Sequence, residues 1–101
     1  MKLYNVEEPT CAEQDMSIII MQDAIELKRR KSKDYQGSQF TQADYFPFGH
    51  QSYLHMLHTK MLRIRSVAEQ DDTNFESLED SLIDMINYAS MYAAAVRKGE
   101  V

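Results

Sequence analysis

An all-α fold of three long helices follows from three features of the 101-residue chain. Two Ser/Thr-x-x-Glu capping boxes open long stretches free of Gly and Pro. Apolar residues recur at three- and four-residue spacing through those stretches. No segment alternates in the manner of a strand. The helices are expected at about 11–33, 50–69 and 74–98 in one domain spanning 1–101, with oligomerisation completing a small bundle.

Residues 1–9 form an irregular lead-in ending at Pro9. Thr10-Cys11-Ala12-Glu13 is the first capping box, so a helix starts near residue 11. Met16, Ile20, Ala24 and Leu27 share one face, and Ile18, Met21 and Ile25 add a second apolar line. A surface helix needs an apolar arc of only about 100°. The wider arc implies packing on two sides, one of them in another subunit. Residues 34–49 then read as a functional loop holding Gly37, Pro47 and Gly49 with Tyr35, Tyr45, Phe46 and Phe48. Loops of this length are uncommon in compact domains, although aromatics that plug the core explain it equally well.

In the second helix Leu54, Leu57, Met61, Ile64 and Ala68 form the expected buried seam. After a short polar turn, Thr73-Asn74-Phe75-Glu76 opens the third helix. Its expected seam is Leu78, Leu82, Met85, Ala89, Ala93 and Val96, and Arg97-Lys98-Gly99 is a C-terminal signature.

Charge is segregated along the chain. Residues 1–27 carry one base and six acids, 28–65 eight bases and two acids, and 66–101 two bases and eight acids. The net charge of −5 makes a nucleic-acid partner a poor expectation. A basic segment between acidic ones suits a small anion held together with a cation. The single Cys11 excludes an intramolecular disulfide or a Cys-rich zinc site and suits a reducing cytoplasm. No apolar run approaches the length of a membrane span, and no secretory signal is legible, so no membrane association is expected.

The candidate chemistry centres on the third helix. Glu76, Asp80 and Asp84 are spaced by four and rise along one face about 6 Å apart, with Asn87 continuing it. A divalent cation such as magnesium would relieve their repulsion; a solvated acidic face is the competing explanation. Ile83 and Met91 project among these acids, which implies that something covers the face. The run Lys28, Arg29, Arg30, Lys31 and Lys33 could grip phosphate, or could simply complement the helix dipole. His55 and His58 lie three apart without a third ligand, so hydrogen-bonded or interface histidines explain them better than a metal.

Three blocks carry a family resemblance: Lys33-Asp34-Tyr35 with Gly37; Lys60-Met61-Leu62-Arg63-Ile64; and the run from Glu76 to Ala89, of the form E-S-x-x-D-[ST]-L-x-D-x-x-N-Y-A. The chain resembles the phage-associated nucleotide modification associated domain of the first type, from about residue 20 to 98. Such domains are similar to the all-α nucleoside triphosphate pyrophosphohydrolases of the MazG and dimeric dUTPase type, which use Mg²⁺ and commonly form dimers or tetramers. The resemblance implies a metal on Glu76, Asp80 and Asp84. It implies a nucleotide on Arg30, Lys33, Asp34, Tyr35, Lys60, Arg63, Asn87 and Tyr88, in the cytoplasm of an infected bacterial host. The helix before Glu76 lacks the Glu-Glu-x-x-Glu box of the pyrophosphohydrolases. The first expectation is therefore a protein that binds or sequesters a nucleotide through its acidic helix face and basic segment; in the hydrolase alternative Tyr35 or Phe48 stacks on the base. Mg-dependent hydrolysis to a monophosphate and pyrophosphate is the alternative, and a helical interaction protein without a small ligand is the second alternative.

Overall fold

The computed structural model describes residues 15–34, 39–70 and 75–101, with side chains for all but Lys33, Asp34, Phe75 and Glu76. Four helices appear among them: α1 (Met16–Asp34), α2 (Gln42–Tyr45), α3 (His50–Ala68) and α4 (Phe75–Lys98). The described residues contain no strand, and the fold is all-α as expected. No helix among them is long and apolar enough to cross a membrane.

Local chemistry fixes most of the ends. The Asp15 carboxylate accepts from the Ser17 N–H at 3.0 Å and the Ser17 hydroxyl at 2.6 Å. These bonds satisfy orphan donors at the start of α1 and hold the Asp15 carboxyl below its ordinary pKa. The described helix begins at Met16; the expected start near residue 11 lies outside the described residues, as do the Thr10–Glu13 box and part of the Thr73–Glu76 box. A box that the sequence reading overlooked opens α2. The Thr41 N–H donates to Asp44 Oδ2 at 2.8 Å, and the Asp44 N–H donates to Thr41 Oγ1 at 3.4 Å. The expected loop of 34–49 thus contains a helical turn. At the other end, Glu100 N–H bonds Ala95 O at 2.9 Å and Gly99 N–H bonds Val96 O at 3.1 Å. Gly99 sits at φ +73°, so α4 ends in a Schellman motif, as the Arg-Lys-Gly signature predicts.

Helix α4 is the shared partner of α1 and α3, with the α3 contact the larger. Asn87 meets α1 through Lys28, and Tyr92 meets α3 through Tyr53. These two positions lie about 140° apart around the helix. The α3–α4 seam is aromatic. Phe46 stacks on Tyr53 at 4.3 Å between centroids, and Tyr53 stacks on Tyr92 at 5.0 Å. Tyr53 is 2% exposed. The Tyr92 hydroxyl lies 2.7 Å from His50 Nδ1.

Both expected seams need correction. On α3, Leu57 and Ile64 are half-buried, whereas Leu54, Met61 and Ala68 are exposed. The aromatic stack rotates Tyr53 inward instead of Leu54. On α4, Leu78 and Met85 are half-buried, but Leu82, Ala89, Ala93 and Val96 are exposed. The packed side carries buried Ser81 and Ala95 with half-buried Tyr88 and Tyr92. The aromatic and small residues, rather than the aliphatic line, define the inner face of α4. On α1, Ala24 is buried and Ile20 and Leu27 half-buried, while Met21 and Ile25 are 50% exposed. The second apolar line of α1 therefore has residues without cover within one protomer.

Candidate functional site: a basic, aromatic cleft

Between α1, α4 and the segment around α2 lies an open cleft of about 700 Å³. Its helical wall is Asp84, Asn87, Tyr88 and Met91 of α4, the side on which the sequence places acids with Met91 among them. Phe40 and Phe46 come from the connecting segment. Gln42 ties that segment down: its Nε2 donates to the Tyr53 hydroxyl at 2.7 Å and to the Met91 carbonyl at 3.0 Å. One amide thus joins α2 to α3 and α4 and sets where the aromatic rings stand.

Two cationic groups have different surroundings. Lys60 Nζ donates to Asp84 Oδ2 at 3.0 Å and lies 5.1 Å from the centre of the Tyr88 ring. Its charge is compensated by the carboxylate and by the ring face. Lys28 Nζ instead donates to Asn87 Oδ1 at 2.9 Å, a neutral acceptor. Partial desolvation pushes the pKa of the exposed Lys28 below the ordinary lysine value. Lys31 lies one turn further along the same cleft wall. Neither Lys28 nor Lys31 pairs with a carboxylate among the described residues. Among the described residues the wall therefore keeps two lysines without a carboxylate partner beside aromatic rings and the amides of Gln42 and Asn87.

Of the residues expected at a site, Lys60 meets Asp84 and Tyr88 directly, while Asn87 bonds Lys28 and shares the cleft wall with Asp84 and Tyr88. Asp80 is exposed one turn before Asp84. The Glu76 side chain lies outside the described ones, as do those of Lys33, Asp34 and Tyr35. No group of three or more His, Cys, Asp or Glu side chains able to hold a metal occurs among the described residues. Arg30 is exposed on α1 about 160° around from Lys28, and Arg63 is exposed on α3; neither lines the cleft. Phe48 is 77% exposed and also stands off it. His55 and His58 are both exposed on α3.

The residues that sequence reasoning missed are Phe40, Gln42 and Met56, together with the choice of Lys28 and Lys31 over Arg30. The Thr41-x-x-Asp44 box was the available signal for Gln42, since it announces a helical turn inside the supposed loop. For the lysines, Ala24 was the signal. It is the small buried contact of α1, and Lys28 and Lys31 lie within about 40° of its direction.

Fold and cleft together define a small all-α domain whose central helix presents polar and aromatic groups to a cationic cleft. The chain belongs to the family described as nucleotide modification associated domain 1, whose model matches residues 31–94. That stretch includes every cleft-lining residue except Lys28. No curated protein and no solved structure matches the chain.

Proposed function

We propose that the protein binds a nucleotide in this cleft, its phosphate beside Lys28 and Lys31 and its base against Phe40, Tyr45 and Phe46. One observation carries the reading: two lysines without carboxylate partners among the described residues face aromatic rings and amides across a space of mononucleotide size. An incoming phosphate would supply the negative charge that Lys28 lacks, replacing a neutral hydrogen bond by a charge-assisted one. The Gln42 and Asn87 amides would select among bases or hold the sugar. Membership of a family associated with nucleotide modification supports a nucleotide over other aromatic anions. In this reading the protein holds or sequesters the nucleotide in a bacterial cytoplasm during phage infection.

A second reading is Mg-dependent pyrophosphohydrolysis of the MazG type. It is favoured by Asp84 in the cleft wall with Asp80 one turn before it and Glu76 one turn earlier in sequence. There the carboxylates would hold magnesium, which would activate a water and polarise the phosphoryl group. Lys60 now holds Asp84, so the metal would have to displace an ammonium group.

Calorimetric titration and thermal melting with nucleoside mono-, di- and triphosphates, each with and without Mg²⁺, test both. Binding predicts stabilisation by an intact nucleotide, about 2.7 kcal/mol at 100 times its Kd, strongly reduced in Lys28→Glu/Lys31→Glu. Pyrophosphate release that vanishes in Asp80→Asn establishes the second reading instead. Silence across the panel removes both and leaves an interaction protein without a small ligand.

A further inference from the structure

On α4, Leu82, Ala89, Ala93 and Val96 form a line roughly opposite the cleft, and all four are exposed. Leu82 is 45% and Val96 55% exposed. On α3, Leu54 and Met61 are 51% and 50% exposed. They lie about 140–160° around that helix from cleft-lining Met56, so they extend the same outer face. Against this, the buried residues among those described are Ala24, Tyr53, Ser81 and Ala95. An apolar line across two helices of so thinly buried a domain calls for a cover.

The residues of α4 specify which cover fits. Leu82 and Val96 each stand seven positions from Ala89, and Met85 and Ala93 each stand four. The exposed ends of the line, Leu82 and Val96, are thus symmetric about Ala89. A second α4 running antiparallel and crossing there would bring Leu82 to the level of Val96 of the second copy, with half-buried Met85 and exposed Ala93 on opposite flanks of the crossing. Ala89 would lie on the two-fold axis, where its small side chain lets the helices approach closely. Charge follows the same symmetry. Glu79 and Arg97 are both exposed, lack an ion-pair partner among the described residues, and lie about 80° around the helix from Ala89 on the same flank. In an antiparallel pair like flanks face each other. Glu79 would then meet Arg97 of the second copy, with their heights about 3 Å apart and the contact occurring twice. We infer that the outer face of α4 is an isologous homodimer interface centred on Ala89, extended by Leu54 and Met61 of α3. The cleft lies on the other side of α4, so this inference stands independently of the nucleotide reading.

Sedimentation equilibrium tests it by charge exchange. The full chain is expected to be dimeric at micromolar concentration. Glu79→Arg and Arg97→Glu should each weaken association at least tenfold, and the double exchange should restore it. Both residues are exposed, and helical circular dichroism should stay unchanged in all three variants. In a Cys11→Ser background, Ala89→Cys should form a disulfide-linked dimer on mild oxidation, whereas Leu62→Cys should not. A wild-type monomer at high micromolar concentration would overturn the proposal. So would a dimer that neither charge change weakens, or Ala89→Cys chains that fail to cross-link.

Discussion

The two sides of α4 differ in a way that inverts the usual expectation. Its inner side carries Ser81, Asp84, Asn87, Tyr88 and Tyr92, and these are buried or half-buried against α1, α3 and the α2 segment. Its outer side carries Leu82, Ala89, Ala93 and Val96, and these are exposed. Polar groups turn inward because each finds a partner: Asp84 takes Lys60, Asn87 takes Lys28, and the Tyr92 hydroxyl takes His50. Among the described residues no buried side-chain polar atom lacks a hydrogen-bond partner. A helix with two usable faces folds on the one whose polar atoms can be satisfied, and the aliphatic face remains for another contact.

The sharpest way to break this contrast is Tyr53→Ala. Tyr53 fills the α3–α4 seam, stacks on both Phe46 and Tyr92, and accepts from Gln42. Its removal should cost about 3–5 kcal/mol, read by denaturant unfolding, at any protein concentration. Val96→Ala on the outer side should instead matter only to the extent that copies associate, so its effect should vanish on dilution. Equal, concentration-independent losses would erase the distinction between the faces.

A smaller effect is expected at Lys60. Its side chain is 18% exposed and bonds an Asp84 side chain that is 35% exposed. Lys60→Met should cost about 1–2 kcal/mol through the lost charge-assisted bond and cation–π contact. Adding Asp84→Asn should recover part of that loss in a double-mutant cycle, because it removes the orphaned charge. Additive losses would mean that the pair contributes nothing to folding.

The smallest effect concerns pH. Lys28 has a lowered pKa, so the unfolded chain holds this proton more tightly than the folded one. Stability should therefore rise slightly as pH climbs from the folded value of Lys28 toward the ordinary lysine value. Nucleotide affinity should move oppositely, since a phosphate favours charged Lys28. Titrations across the alkaline range should show Kd increasing, and Lys28→Arg should flatten the curve because arginine stays charged. A flat wild-type profile through that range would place the phosphate elsewhere.

Much of the fold is legible in the residues, and the reasons for the misses are specific. Gly99 with Arg97 and Lys98 ends α4 as expected because a positive-φ cap is a local requirement. The rotation of each helix about its own axis is not local. Leu54 and Tyr53 are neighbours in sequence, and only the rings of Phe46 and Tyr92 decide which turns inward. The same limit governs the cleft. Lys60, Asp84 and Tyr88, singled out from their motifs, are in direct contact, and Asn87 lies on the same wall bonded to Lys28. Among the bases of α1, however, charge alone does not separate Lys28 and Lys31 from Arg30. The buried contact of Ala24 does. Met91, singled out as an apolar group amid the acids, lines the cleft, and its main-chain carbonyl accepts from Gln42 of the α2 segment.

The central claim is a nucleotide in the cleft, and methyl resonances of the methionines test it most directly. Met56 and Met91 line the cleft, whereas Met61 faces outward on α3. Titrating a nucleoside phosphate into methyl-labelled protein should shift Met56 and Met91 in a saturable manner and leave Met61 in place. Shifts at Met61 without change at Met56 and Met91, or no shift at any of the three, would contradict the account.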